Sequence, residues 1–210
     1  MTRIVAGSAK GRTLAVPKSG TRPTSERVRE ALFSRLDHMN VLEGATVLDL
    51  FAGTGALGLE ALSRGAARAT LVEKASAAAR VASANVRATG LPARVVTADV
   101  RAYLGARSGE ALTGENDLVF IDPPYDIPEG DMTTVLSALA PWVGPDSLIV
   151  VERSTRAPAP TWPPFLVLED TRAWGETVAY FAGPPLPKDE ESSDAAERAA
   201  ASPVREETAP

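Results

Sequence analysis

The sequence predicts an α/β fold with a mostly parallel sheet, and three features carry that expectation. Strand-like apolar runs alternate with helical patterns between Thr46 and Glu152, the βαβ signature of a parallel sheet. The run LVFI at 118–121 is continuous and does not alternate with polar residues, which suits a strand covered on both faces. A closing pair, FLVLED at 165–170 and ETVAYFAG at 176–183, follows a Pro-rich connection and reads as an antiparallel hairpin.

Taken in order, RIVAG (3–7) and RTLAV (12–16) are two short strands joined by a Gly-containing turn, a small basic hairpin. The loop PKSGTRPT leads to a helix from about Ser25 to Met39, with Val28, Leu32, Leu36 and Met39 on its apolar face. TVLDL (46–50) is the first parallel strand, and ALGLEALSR (56–64) is a helix ended by Gly65. ATLVE (69–73) is the second strand. SAAARVASANVRATG (76–90) is a helix with Ser76 as N-cap and Gly90 just past its end. ARVVTAD (93–99) precedes a short helix near Val100–Leu104, and DLVFID (117–122) is the fourth strand. A helix near Met132–Leu139 and the strand SLIVVE (147–152) complete the series. With the closing pair the sheet has seven strands.

Composition removes several chemistries. There is no cysteine, so disulfides, Cys-based metal sites and a thiolate nucleophile are excluded. The single histidine, His38, stands near a helix end, where the dipole favours a cation, and cannot build a His-rich metal site. No metal is expected. No stretch approaches the ~20 apolar residues of a membrane span, and the N-terminus lacks the apolar core of a signal peptide. A cytoplasmic location is the expectation.

Charge divides the chain into three. Residues 187–210 hold 3 basic against 7 acidic residues, nearly the whole net charge of −5. Rich in Ala, Ser, Glu and Pro, this stretch cannot bury enough apolar surface to offset chain entropy, and 184–210 is expected to be a disordered acidic tail. Residues 1–30 carry 7 basic against 2 acidic residues, a density that suits phosphate contacts, although a solvated face reads the same way. Residues 1–40 are thus an expected basic hairpin-and-helix extension, and 41–183 the main domain.

The candidate chemistry sits where strands end. Parallel sheets bind ligands beyond the carboxyl ends of their strands, and there LVFI runs into Asp122-Pro123-Pro124-Tyr125. The prolines fix φ and remove two N–H donors, which leaves a rigid turn of acceptors: the Asp122 carboxylate and the Pro123 carbonyl. Tyr125 adds a flat face. Acceptors beside an aromatic plate fit a planar ring carrying an exocyclic NH2; the bland alternative is a tight turn with a capping Asp. After the first parallel strand, Gly53, Gly55 and Gly58 form G-x-G-x-x-G, and Glu73 ends the next strand, where an acid can hold ribose hydroxyls. That pattern alone also fits a dinucleotide. Asp49, just ahead of the glycines, disfavours a pyrophosphate and favours a cationic ligand such as S-adenosylmethionine, with its ammonium and sulfonium. Asp99 ends the third strand, in position for an adenine amino group, with a helix cap as the alternative.

VLDLFAGTGALGLEALSRGA, LVEK, TAD and FIDPPY occur in the order seen in class I S-adenosylmethionine-dependent methyltransferases, and DPPY resembles the motif of those that methylate exocyclic amino nitrogens. RIVAGSAKGRTLAVP, TRPTSERVREALFSRL and the late TRAWGETVAYF resemble the RsmD family, the 16S ribosomal RNA guanine-N2 methyltransferases. The likeness covers about Arg3 to Gly183; the Pro-rich stretch RSTRAPAPTWPP is looser than the family pattern. It implies a Rossmann-like sheet with a closing hairpin, plus a small N-terminal hairpin and helix. It also implies methyl transfer from S-adenosylmethionine, with S-adenosylhomocysteine as product, to a guanine of 16S ribosomal RNA, in an assembled or assembling small subunit. By motif, Asp49, Gly53 and Gly55 would hold the methionine end, Glu73 the ribose and Asp99 the adenine. Asp122 and Pro123 would act on the amino group and Tyr125 would stack on the base. Arg3, Lys10, Arg12 and Arg22 are the expected phosphate anchors, and the chain is expected to act as a monomer.

Other readings share parts of this pattern. A DNA adenine-N6 methyltransferase would use the same turn but needs a larger target-recognition domain. Protein glutamine methyltransferases have Asn where this chain has Asp122. A non-catalytic cofactor-binding module has no need of DPPY, and an NAD-dependent oxidoreductase is disfavoured by Asp49.

Overall fold

The computed structural model describes residues 2–16, 26–107 and 114–185. Arg22 and nearly all of the acidic tail lie outside the described residues.

The chain lays down β1 (Thr2–Arg3), β2 (Thr13–Leu14), α1 (Glu26–His38), β3 (Thr46–Leu50), α2 (Ala56–Ser63), β4 (Arg68–Glu73) and α3 (Ser76–Thr89). Then come β5 (Ala93–Thr97), α4 (Val100–Gly105), β6 (Asn116–Ile121), α5 (Glu129–Ser137), β7 (Val143–Ser154), β8 (Val167–Trp174) and β9 (Thr177–Gly183). Seven strands form one sheet in the order β5-β4-β3-β6-β7-β9-β8. The first five are parallel, and β9 pairs antiparallel with both β7 and β8. From β3 the chain winds outward to β4 and β5, then returns to place β6 on the other side of β3. That reversal opens a crevice beyond the carboxyl ends of β3 and β6.

The continuous run of β6 is buried on both faces, as its sequence requires. Phe120 faces a core with Phe33, Leu36, Leu59 and Phe181, whereas Val119 and Ile121 face a second core with Met132, Leu136 and Leu139. The N-terminal hairpin shares the first core through Ile4, Ala9 and Leu14. It is also stitched to α2 by hydrogen bonds. The Glu60 carboxylate accepts from the amides of Val5 (2.8 Å) and Ala6 (3.0 Å), and Ser63 Oγ accepts from Ala9 (2.9 Å).

Several elements differ from expectation, among them the N-terminal strands, which pair only over Thr2–Arg3 and Thr13–Leu14, and β7, which spans Val143–Ser154. Helix α3 is capped by Ala75 and not by Ser76, because the Glu73 carboxylate already takes the Ala75 amide at 2.6 Å. Helix α1 buries Arg29, Leu32, Phe33 and Leu36, with Val28 and Met39 only half-buried; an ion pair to Glu60 carries Arg29 into the core. Helix α5 starts at Glu129 because the Pro128 carbonyl accepts from Asp131 and Met132. Strand β8 runs on to Trp174, since Thr171–Trp174 pair along β9.

Candidate active site

A cleft of about 1010 Å³ opens at the carboxyl ends of β3, β4 and β6, lined among others by Asp49, Phe51, Gly53, Glu73, Asp99 and Asp122. Asp49 enters it from β3 and is buried. Its Oδ2 accepts the Gly58 amide at 2.9 Å, and its Oδ1 is buried without a hydrogen-bond partner. Burial pushes its pKa up to about 7, with Asp122 and Glu73 adding and the Gly58 amide opposing.

The glycine loop is held by Glu73, which accepts the Gly53 amide at 2.9 Å through Oε2. Gly55 has φ of 80° and opens α2, a conformation that glycine adopts without steric cost. Phe51, in the cleft wall, has φ of 62°, uncommon for a side chain this bulky and a feature that clusters at functional sites. Asp99 is the N-cap of α4: its Oδ1 accepts from Arg101 (3.0 Å) and Ala102 (3.4 Å), and its Oδ2 pairs with Lys74 Nζ at 3.0 Å. The bonded Lys74 ammonium holds its pKa below the usual carboxylate value.

Asp122 lies between this cleft and a smaller recess lined by Pro123, Tyr125, Glu152, Arg153 and Thr177. Tyr125 is 62 % exposed, a flat ring at the rim. Register explains the neighbours. Ile121 pairs with Val151, so the next residues stand at the same level, Asp122 just past the end of β6 and Glu152 within β7 opposite Ala179 of β9. Glu152 is buried, its Oε1 without a hydrogen-bond partner. Burial drives its pKa well above the usual carboxylate value; Asp122 and Asp49 push the same way and Arg29 opposes.

Two residues here escaped the sequence reading. Glu152 ends its apolar run just as Asp122 ends LVFI, so the signal was present. Arg29 stands on the apolar stripe of α1, where a charge is itself a signal. It is 1 % exposed, donates to Thr2 Oγ1 (3.0 Å) and to the Arg3 carbonyl, and lies 3.6 Å from Glu60.

The described candidate phosphate anchors, Arg3, Lys10 and Arg12, lie on the N-terminal hairpin. Lys10 is exposed. Arg3 is 66 % exposed and pairs with Glu26 at 3.3 Å. Arg12 donates to the carbonyls of Ala88 (2.8 Å) and Thr89 (3.1 Å), at the C-terminus of α3. Among the described residues no cluster of His, Cys, Asp and Glu could hold a metal ion, and no helix is long and apolar enough to cross a membrane.

The family model described as conserved hypothetical protein 95 matches residues 2–183. The ribosomal RNA small subunit methyltransferase D of Escherichia coli is 40% identical over 180 residues, covering 85% of this chain and 87% of that protein. Its counterpart from Haemophilus influenzae is 34% identical over 160 residues, covering 74% and 80%. The solved structure of a hypothetical protein from Thermus thermophilus superposes with a TM-score of 0.72 at 35% identity, covering 86% of this chain and 98% of that one.

Proposed function

This chain belongs to the RsmD family of ribosomal RNA methyltransferases, and from that premise we propose that it transfers a methyl group from S-adenosylmethionine to the exocyclic N2 amino group of a guanine in 16S ribosomal RNA. The observation that carries this reading is the Asp122–Tyr125 turn, standing between the cofactor-sized cleft and a second, smaller recess.

The residues of the cleft fit this cofactor. Asp49 Oδ1 is a buried acceptor without a partner, and an ammonium group satisfies both its hydrogen bonding and its charge. A cleft of about 1010 Å³ is at the upper end of small-molecule sites. Glu73 offers its remaining lone pairs to ribose hydroxyls, Asp99 its own to an adenine amino group, and Gly53 and Gly55 line the methionine end. When bound, S-adenosylmethionine supplies a methyl carbon made electrophilic by its sulfonium.

The target nitrogen is a poor nucleophile because its lone pair is conjugated with the purine ring. Asp122 and the Pro123 carbonyl accept its two N–H bonds, which draws the nitrogen toward tetrahedral geometry and directs the lone pair into the cleft. The same acceptors stabilise positive charge as it develops on nitrogen, a preorganised electrostatic effect. Prolines on either side of the Pro123 carbonyl's peptide hold the turn in place. Tyr125 stacks on the base, which must leave its own stack to enter. Arg3, Lys10 and Arg12, together with Arg22, contact RNA phosphates from the N-terminal extension and position the substrate.

The test is methyl transfer from labelled S-adenosylmethionine to small ribosomal subunits, and separately to their naked RNA, both lacking this modification. Label in N2-methylguanosine supports the reading. Label in N6-methyladenosine, or none from a protein that binds S-adenosylhomocysteine, overturns it.

A further inference from the structure

We infer that Glu152 selects guanine, accepting the N1–H of the target base while Asp122 and the Pro123 carbonyl accept from its N2 amino group. The inference rests on the function proposed above and assigns the choice of base to a residue outside the DPPY turn.

The placement comes from the sheet. Parallel register puts Asp122, just past β6, level with Glu152 of β7. Both line the recess that also holds Pro123 and Tyr125. Glu152 is 4% exposed, and its Oε1 is a buried acceptor without a hydrogen-bond partner. Such a group costs stability unless a ligand satisfies it. In the free protein burial and the charges of Asp122 and Asp49 raise the Glu152 pKa, with Arg29 opposing; a bound N1–H donor favours the ionised, acceptor-only form.

Base chemistry then separates the candidates. In adenine the exocyclic amino group adjoins N1, a bare lone pair. In cytosine it adjoins N3, again a lone pair. Only in guanine does it adjoin a ring N–H. A carboxylate beside the amino-binding acceptors therefore gains a hydrogen bond from guanine and meets a repelling lone pair from the other two. Adenine and cytosine leave Glu152 unsatisfied; guanine satisfies it.

The test compares guanine with 2-aminopurine at the modified position, once wild-type protein has mapped it. 2-Aminopurine keeps the C2 amino group but has a lone pair at N1. Wild type should prefer guanine by roughly 100-fold in kcat/KM, since a site built to bond a substrate N–H rejects the analogue lacking it. In Glu152→Gln the carboxamide presents either its oxygen or its NH2, so the preference should narrow about tenfold or more, with S-adenosylhomocysteine affinity within about threefold. A merely structural role would change both rates together. If Glu152→Gln fails to bind S-adenosylhomocysteine, Glu152→Ala is measured in its place and its ratio should narrow likewise. An unchanged ratio in a variant that binds S-adenosylhomocysteine overturns the inference and leaves the proposed function standing, provided wild type makes N2-methylguanosine. Wild-type label in N6-methyladenosine overturns both.

Discussion

Asp49 is held by only half of its carboxylate: Oδ2 accepts the Gly58 amide at 2.9 Å, and Oδ1 is buried with no hydrogen-bond partner. The approach depends on glycine, because a Cβ at position 58 would lie 2.3 Å from Leu71 Cδ2 and 3.3 Å from Asp49 Oδ2. The free protein thus keeps a buried acid poised for a cation.

That arrangement costs stability in a definite pH window. The folded-state pKa of Asp49 is raised from 3.8 to about 7, so the folded protein holds this proton more tightly than the unfolded chain does. Its contribution is most favourable below the unfolded value and is lost progressively as pH rises to about 7, a change on the order of 4 kcal/mol. Asp49→Asn removes this titration while keeping an oxygen for Gly58. Thermal melts without cofactor should show the variant more stable than wild type at pH 8, with a smaller gap at pH 5. A variant less stable at pH 8 contradicts the assignment.

Cofactor binding should show the opposite face of the same group. An ammonium ligand binds the ionised carboxylate, so affinity for S-adenosylhomocysteine should climb as pH rises toward about 7 and then level. In Asp49→Asn the affinity should fall roughly 10- to 100-fold and this part of its pH dependence should vanish. Calorimetry in buffers of different ionisation enthalpy detects the proton released by wild type near pH 6.5.

Asp122→Ala separates chemistry from cofactor binding. It removes one preorganised acceptor, and loss of such a group lowers kcat by about 10²–10³. Affinity for S-adenosylhomocysteine should stay within a few-fold. Equal loss of both would remove Asp122 from the proposed role.

Arg29→Met should destabilise the protein by about 3–5 kcal/mol, the usual result of stripping one partner from a buried ion pair. Glu152 loses the cation that opposes its raised pKa, while Glu60 keeps Arg64 at 2.9 Å, so the deficit should be larger at pH 8 than at pH 5.5. Denaturant melts at the two pH values measure it; a pH-independent loss would mean that Arg29 acts by packing alone.

Arg12→Ala tests two contributions at once. Its bonds to the Ala88 and Thr89 carbonyls satisfy the end of α3, and their loss should cost about 1 kcal/mol in a melt. If Arg12 also meets phosphate, the slope of log affinity for RNA against log salt should fall by about one unit, as for Arg3→Ala and Lys10→Ala. An unchanged slope with a lowered melting temperature would make Arg12 a structural cap only.

The linear order of residues determined the sheet, its parallel core and the acids at its carboxyl rim, because those depend on local periodicity and on where an apolar run stops. LVFI followed by Asp122, and Gly53 to Gly58 followed by Glu73, are legible without any fold. Which acids meet was decided only by the tertiary structure. Asp49, Asp122 and Glu152 are far apart in sequence and become neighbours through the register of β3, β6 and β7, which no local pattern encodes. Arg29 joined them because α1 packs on the same face of the sheet, where burying its charge requires partners drawn from other elements. Asp99, read as an adenine contact or a helix cap, caps α4, and Arg12, read as a phosphate contact, bonds to backbone carbonyls of α3. Helix ends carry unsatisfied amides and carbonyls, and a polar side chain close by bonds to them whatever else it does.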